Sequence, residues 1–116
     1  LAETGRNRIL CCEINSDGTV GPREHFADTT LPSGPDGMAF DIDGNLYVAH
    51  HAGGCVDVFD PEGKQIDTIA IPGAGVPNCC FGGPENTTLY VTEVKTHAVY
   101  TVPLNVAGLP LFDGRA

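Results

Sequence analysis

The sequence repeats itself at intervals of about 45 residues, and this periodicity restricts the fold more than any other feature. The string LYV at residues 46–48 returns at residues 89–91, shifted by 43 positions. A second alignment relates residues 2–4 to residues 49–51, shifted by 47 positions, and both segments begin with alanine. Repeats of this length are typical of proteins built from stacked copies of one supersecondary unit.

Each repeat contains short segments with the composition of β-strands. They are rich in Val, Ile, Tyr, Phe and Thr, and clusters of Gly, Pro, Asn and Asp separate them. The dipeptides Asp43-Gly44 and Glu62-Gly63 are hairpin signals. No segment shows a helical period with caps, so the pattern predicts an all-β fold. The eight segments are ILCCEI, GMAFDI, NLYVAHH, CVDVFD, QIDTIAI, NCCFGG, TLYVTEV and HAVYTVPL.

A repeat of about 45 residues with four strands has the length of one β-propeller blade. The 116 residues then form one domain, with three strands of a first blade in 1–31, a complete blade in 32–72 and a last blade in 73–116. The string LPLFDG, at 109–114, is the candidate for a fourth strand of the last blade. About two and a half blades are fewer than the four to eight that close a propeller ring, so we predict a partial propeller.

The charge balance limits the partners of the chain. Six Lys and Arg residues against 15 Asp and Glu residues give a net charge of −9, which disfavours binding to nucleic acid or to an anionic membrane. No apolar run reaches about 18 residues and no charged leader precedes an apolar stretch, so we expect a soluble, cytoplasmic protein. Because Leu1 replaces an initiator Met, the chain is either processed or a piece of a longer protein.

The five cysteines form two adjacent pairs and a single residue. This odd number with vicinal pairs does not match a secreted disulfide framework, and no CxxC spacing indicates a structural zinc site. In a strand, vicinal side chains point to opposite faces, and a free cysteine packs as a small hydrophobic residue. We predict packing roles in a reducing compartment, and a reactive thiol is the remaining alternative.

The tripeptide Pro35-Asp36-Gly37 has the ingredients of a tight turn, because Pro fixes φ, Asp bonds nearby backbone and Gly accepts positive φ. The residue types therefore predict a turn former at Asp36. The run 41–45 begins like a calcium loop, but it lacks the glycine at the sixth position and the glutamate at the twelfth. We interpret that run as a hairpin.

Three ionisable residues recur at one position of the repeat, at the end of the LYV-type strand: Glu3, His50 and Glu93. They are candidates for lining a shared channel. The simpler interpretation, which we favour here, is that they are solvated residues where the strands leave the core, because most charged side chains are exposed.

Longer strings point to a known family. The run GPDGMAFDIDGNLYVAHHAGGCVDVFDPEGK, followed by CCFGGPENTTLYVT and the ending LPLFDGRA, closely resembles the senescence-marker protein, gluconolactonase and luciferin-regenerating enzyme family. Its members are six-bladed propellers that include metal-dependent lactonases. The resemblance implies that this chain corresponds to the C-terminal part of such a protein.

The resemblance also implies a site. In the family a single divalent cation is held by a glutamate near the N-terminus, an asparagine from a middle blade and the aspartate of the PDG motif. The matching position is Asp36, which the resemblance implies is both metal ligand and general base. The implied ion is calcium or zinc, with magnesium or manganese as further options. No residue of this chain matches the family's glutamate and asparagine motifs.

Two functions follow as expectations. In the first, the chain hydrolyses a sugar-type lactone with a divalent metal, once other copies or a partner chain complete the ring. In the second, it is a non-catalytic, oligomeric propeller fragment that acts as a binding or structural module. In both cases we expect the chain to assemble with other copies or with a partner chain, because the outer blades of an open propeller present unpaired strand edges and an apolar face.

Overall fold

A computed structural model describes residues 1–29 and 34–111. Within those ranges the secondary structure consists of ten β-strands and one 3-10 helix at Thr4–Arg6, which confirms the all-β prediction. No helix of the described residues is long and apolar enough to cross a membrane. The strands are β1 Ala2–Glu3, β2 Arg8–Ile14, β3 Val20–Asp28, β4 Pro35–Phe40, β5 Leu46–His50, β6 Cys55–Phe59, β7 Gln65–Ala70, β8 Asn78–Gly82, β9 Thr88–Glu93 and β10 Ala98–Pro103.

The strands form three antiparallel sheets that follow one another along the chain. The orders are β1-β2-β3, β4-β5-β6-β7 and β8-β9-β10, each a simple meander. The middle sheet is a complete four-stranded blade, and the outer two contain three described strands each. The partial propeller of about two and a half blades is therefore confirmed.

The sequence repeat corresponds to a repeat of strand register. In each sheet the LYV-type strand and the strand that follows it pair in the same register. Residues at equivalent positions of the repeat therefore have equivalent partners. The equivalent pairs are Ala2 with Ile9, Ala49 with Val56, and Thr92 with Val99. One step further along the same hairpins, Glu3, His50 and Glu93 also share a position.

The core lies between adjacent sheets. Every residue of β5 and β6 is buried, because the middle sheet has a neighbour on each face. Side chains alternate along these strands, so one set packs toward the first sheet and the other toward the last. Toward the first sheet the cluster is Ile9, Ala27, Leu46, Val48 and Phe59. Toward the last sheet it is Tyr47, Ala49, Val56, Val58, Ile71, Val76, Cys79, Leu89 and Val91.

One face of the last sheet is exposed, although the equivalent face of the middle sheet is buried. Val56 is 0% exposed and the equivalent Val99 is 61% exposed. Tyr47 is 6% exposed and the equivalent Tyr90 is 37% exposed. Within the described part of the chain, no further sheet covers this face, which we call the open face of the last sheet.

Both predicted hairpin turns in the middle sheet are confirmed. Gly44 has a φ of 85° and donates its N–H to the carbonyl of Asp41 at 3.2 Å. The buried carboxylate of Asp41 accepts hydrogen bonds from the backbone N–H groups of Asp43 and Asn45, at 2.9 and 2.8 Å. The run 41–45 is therefore a hairpin, as its sequence indicated.

The expected fourth strand of the last blade is not formed by the described part of LPLFDG. The N–H of Leu109 donates to the carbonyl of Phe40, so the chain here runs beside the end of β4 and not beside β10. Gly108 permits this path, because an added Cβ would lie 2.2 Å from the Cβ of Phe81. The prediction is wrong for 109–111, and 112–114 lie outside the described residues.

All five cysteines are free. Cys79 is 4% exposed in the core, and its neighbour Cys80 is exposed on the opposite face, as strand alternation predicts. Burial raises the pKa of Cys79 to about 12 and that of Cys55 to about 11, so both remain protonated thiols at neutral pH. The packing interpretation is confirmed for these two residues, and it is wrong for Cys11 and Cys80, which are exposed.

Candidate functional site

Asp36 is the second residue of β4, so the predicted turn at Pro35-Asp36-Gly37 is wrong, because backbone pairing with β5 extends the strand to Pro35. The strand departs from regular pairing at this point. Pro35 pairs with His50 and Met38 pairs with Val48, and the register shifts between them. Such a bulge turns a side chain away from the direction it would have in a regular strand. The side chain of Asp36 is 47% exposed, so its carboxylate is accessible to a ligand from solvent.

Both neighbouring sheets hold the beginning of β4 in place. The hydroxyl of Thr4 donates to the carbonyl of Pro35 at 2.8 Å, and the N–H of Gly37 donates to the carbonyl of Pro77 at 2.8 Å. Gly37 is required by close approach, because an added Cβ would lie 2.0 Å from Oδ1 of Asn78. Asp36 is therefore presented on a fixed backbone where the three sheets meet.

His51 is the first residue after β5, and its imidazole faces the carboxylate of Asp36. The distance between His51 Nδ1 and Asp36 Oδ2 is 3.8 Å. The side chain as a whole is 45% exposed, but the Nδ1 atom is buried and has no hydrogen-bond partner among the described residues. The main chain is fixed, because the carbonyl of His51 accepts a hydrogen bond from the N–H of Val76 at 3.0 Å.

The donor set fits part of the coordination shell of a divalent ion. A carboxylate oxygen of Asp36 and an imidazole nitrogen of His51 face each other, and the amide oxygen of Asn78 lies against the neighbouring Gly37. The described residues contain no group of three His, Cys, Asp or Glu side chains arranged to hold a metal. Because calcium takes six to eight oxygen ligands, water or groups from outside these ranges must complete any such shell.

Glu3 forms ion pairs within the first sheet. Its carboxylate contacts the guanidinium of Arg8, and that of Arg6 at 3.6 Å. The hydrogen bond from Arg8 holds the pKa of Glu3 below its ordinary value. Glu3 lines a cleft of about 460 Å³ with Arg23 and His25. Its side chain is 32% exposed.

His50 has a different environment at the same repeat position. It is 0% exposed, and neither ring nitrogen has a hydrogen-bond partner within 1–29 and 34–111. Its backbone pairs with Pro35 on one side and Cys55 on the other. The interpretation of His50 as a solvated residue is wrong, because the strand end is covered on both faces.

Glu93 is also buried, at 2% exposure, and it stabilises turns. Its carboxylate accepts hydrogen bonds from the N–H groups of Gly75 at 2.7 Å and Lys95 at 3.0 Å, and from the N–H and hydroxyl of Thr96. Burial alone would raise the pKa of Glu93, but these hydrogen bonds outweigh it and lower the pKa to about 2. The solvated interpretation is wrong here too. Lining of a shared channel by Glu3, His50 and Glu93 stays a prediction.

Sequence reasoning identified Asp36 but missed the two side chains that accompany it. His51 was overlooked beside His50, because only tertiary structure shows which of two adjacent histidines faces β4. Asn78 had a usable signal. Pro77-Asn78, where Asn78 is the first residue of β8, repeats Pro35-Asp36 at the start of β4. The first strands of the middle and last sheets therefore share a proline followed by an oxygen donor.

The fold and this site define a class of protein: a partial β-propeller with an accessible carboxylate at the start of the first strand of its complete blade. The sequence profile of the SMP-30/gluconolactonase/LRE-like region matches residues 1–95. The chain therefore belongs to the SMP-30/gluconolactonase/LRE-like family.

Curated relatives match a part of their own length. Regucalcin of Xenopus laevis is 51% identical over 60 residues, which are 51% of this chain and 20% of that protein. The pentonolactonase of Haloferax volcanii is 38% identical over 76 residues, which are 65% of this chain and 26% of that protein. The matched segments thus span between a fifth and about a quarter of these relatives.

Solved structures of similar fold cover more of the chain. A luciferin-regenerating enzyme has a TM-score of 0.82 and 25% identity, over 92% of this chain and 41% of that one. A regucalcin from Agrobacterium tumefaciens, described as a calcium-binding protein, has a TM-score of 0.77 and 26% identity, over 91% of this chain and 41% of that one. The chain spans less than half of each of these structures.

Proposed function

We propose that this chain contributes Asp36 to a metal-dependent site that hydrolyses a sugar-type lactone. The observation that carries the proposal is the half-exposed carboxylate of Asp36, held on a bulge where three sheets meet. The relatives named as a pentonolactonase and as a gluconolactonase support the substrate class. The net charge of −9 favours a cation over an anion as the bound ion.

In this mechanism Asp36 acts on the attacking water. Its carboxylate accepts a proton from the water as the water oxygen bonds to the lactone carbonyl carbon. The ring C–O bond then breaks, the ring oxygen takes up a proton, and the product is an open hydroxy acid. A divalent ion, when bound, supplies Lewis-acid polarisation of the carbonyl oxygen. The backbone of Pro35 and Gly37 keeps Asp36 in position through its bonds to the neighbouring sheets.

The test is hydrolysis of aldonolactones by the chain with calcium, zinc, manganese or a chelator, measured by acid release. Asp36→Asn keeps the shape of the side chain and removes the base, so we expect its rate to fall at least about a hundredfold. Asp43→Asn, in the exposed hairpin turn, is the matched control and retains the rate. A rate that is independent of metal, or unchanged in Asp36→Asn, would refute the proposal.

A second candidate function rests on the open face of the last sheet. Its exposed valine and tyrosine, Val99 and Tyr90, occupy positions that are buried at a sheet-to-sheet contact in the middle blade. We propose that another blade covers this face. It comes from a further copy of the chain or from a partner chain that supplies the missing blades. Without catalysis, the assembly would serve as a binding or structural module.

Light scattering tests this second candidate. Closure by copies of the chain predicts a mass of at least twice 12.1 kDa, and Val99→Glu, which places a charge on the open face, restores the single-chain mass. A single-chain mass at every concentration would rule out the homo-oligomer and would leave closure by a different chain, which co-purification with the N-terminal blades of a relative tests.

A further inference from the structure

The imidazole of His51 presents an unsatisfied nitrogen toward Asp36. Nδ1 is buried and lacks a hydrogen-bond partner among the described residues, although the rest of the ring is half-exposed. A buried polar atom without a partner costs free energy, so such an atom commonly marks a missing ligand. The carboxylate oxygen Oδ2 of Asp36 lies 3.8 Å from this nitrogen.

The distance between these two atoms is informative. At 3.8 Å it is too long for a direct hydrogen bond. Two ligands of one first-row metal ion, at about 2.0 to 2.2 Å from it, lie roughly 3.0 to 3.4 Å apart. A side-chain movement of about half an ångström would therefore let both atoms bind one ion. The backbone of His51 need not move, because its carbonyl is fixed by the N–H of Val76.

We propose that His51 is a metal ligand through Nδ1, and that it determines which divalent ion the site prefers. Imidazole binds first-row transition ions such as zinc, iron and nickel, and manganese accepts it beside carboxylate ligands, whereas calcium takes oxygen ligands almost exclusively. A site that contains Asp36 and His51 therefore favours a first-row transition ion over calcium. This inference rests on the proposed metal site at Asp36 and adds a ligand and a selectivity to it.

Manganese is the appropriate probe, because thiolates select zinc and copper, and the exposed Cys11 and Cys80 would bind those ions elsewhere on the chain. Free manganese is counted by its electron paramagnetic resonance signal, and calcium is measured by competition. A bound ion with an imidazole ligand shows hyperfine coupling to ¹⁴N. This readout does not depend on catalysis.

We expect the wild-type chain to bind manganese with ¹⁴N coupling. In His51→Gln the coupling disappears, and manganese affinity falls by roughly tenfold or more, with calcium affinity changed less than about threefold. The matched control is His25→Gln, which removes an exposed histidine whose Nε2 lies 3.0 Å from Asp28 Oδ1. That variant retains both the coupling and the affinity. Equal urea midpoints verify that the variants are folded.

The outcomes separate the inference from the proposed function. Manganese bound without ¹⁴N coupling, with an affinity that Asp36→Asn abolishes, overturns the role of His51 and supports Asp36 as a ligand. Coupling that persists in His51→Gln also overturns it. If the wild-type chain binds no manganese, both the ligand role of His51 and the proposed metal site at Asp36 are overturned. Lactone hydrolysis that needs no metal overturns the proposed function independently of the binding measurements.

Discussion

Two valines at equivalent positions of the repeat give a direct test of which face of each sheet is covered. Val56 in β6 is 0% exposed, between the middle and last sheets, whereas Val99 in β10 is 61% exposed on the open face. The substitutions Val56→Ala and Val99→Ala remove the same atoms from the same strand position. Any difference in their effects must therefore come from the neighbouring sheet.

The magnitude follows from the burial. Val56→Ala removes two methyl groups from the core, at about 0.8 kcal/mol each for transfer, and adds a cavity term. We expect the free energy of unfolding to fall by about 2–3 kcal/mol. With a urea m-value of about 1.5 kcal/mol/M for a chain of this size, the midpoint falls by roughly 1.5 M. Val99→Ala removes exposed surface and should change stability by less than about 0.5 kcal/mol.

The assay is urea unfolding followed by far-ultraviolet circular dichroism, at a concentration at which light scattering gives the single-chain mass. Equal midpoints for the two variants would refute the reasoning, because they would mean that both positions have the same environment. If Val99→Ala lowers the free energy of unfolding only at higher protein concentration, this would instead support closure of the open face by another copy.

Two further predictions concern ionisable groups. Because the folded-state pKa of Glu93 is about 2, the unfolded state binds more protons below about pH 4.5, so stability should fall as pH falls from about 4.5 to 2. Glu93→Gln should show a flatter dependence of the urea midpoint over that range, and an equally steep one would contradict the assignment. Thiol labelling should modify Cys11 and Cys80 rapidly and Cys55 and Cys79 only on unfolding, and rapid labelling of all five would show that the sheets do not pack as described.

Much of the fold could be predicted from local rules. Alternating apolar residues and turn dipeptides such as Asp43-Gly44 and Glu62-Gly63 specify hairpins over a few residues, and the repeat extends them to three sheets. The path of 107–111 could not be predicted. Leu109 donates to the carbonyl of Phe40, and Ala107 accepts from the N–H of Ile42. Both partners lie more than 60 residues earlier in the chain, and no local pattern encodes that pairing.

The candidate site was predictable to a similar extent. The resemblance identified Asp36, whereas the turn predicted from the tripeptide Pro35-Asp36-Gly37 did not form, because these residues begin a strand. The approach of His51 and Asn78 to β4 depends on how two hairpins and a neighbouring sheet pack together. These residues are 15 and 42 positions away from Asp36, so their proximity is a product of tertiary structure.

The sequence by itself determined the strands, the turns and the repeat, because hydrogen-bonded hairpins depend on residues that are close along the chain. Tertiary structure decided the burial and the hydrogen-bond partners of each repeated position. Glu3 pairs with arginines, His50 is buried, and Glu93 caps turns, although all three occupy one place in the repeat. The physical reason is that burial and hydrogen bonding depend on the adjacent sheet, which differs for each blade.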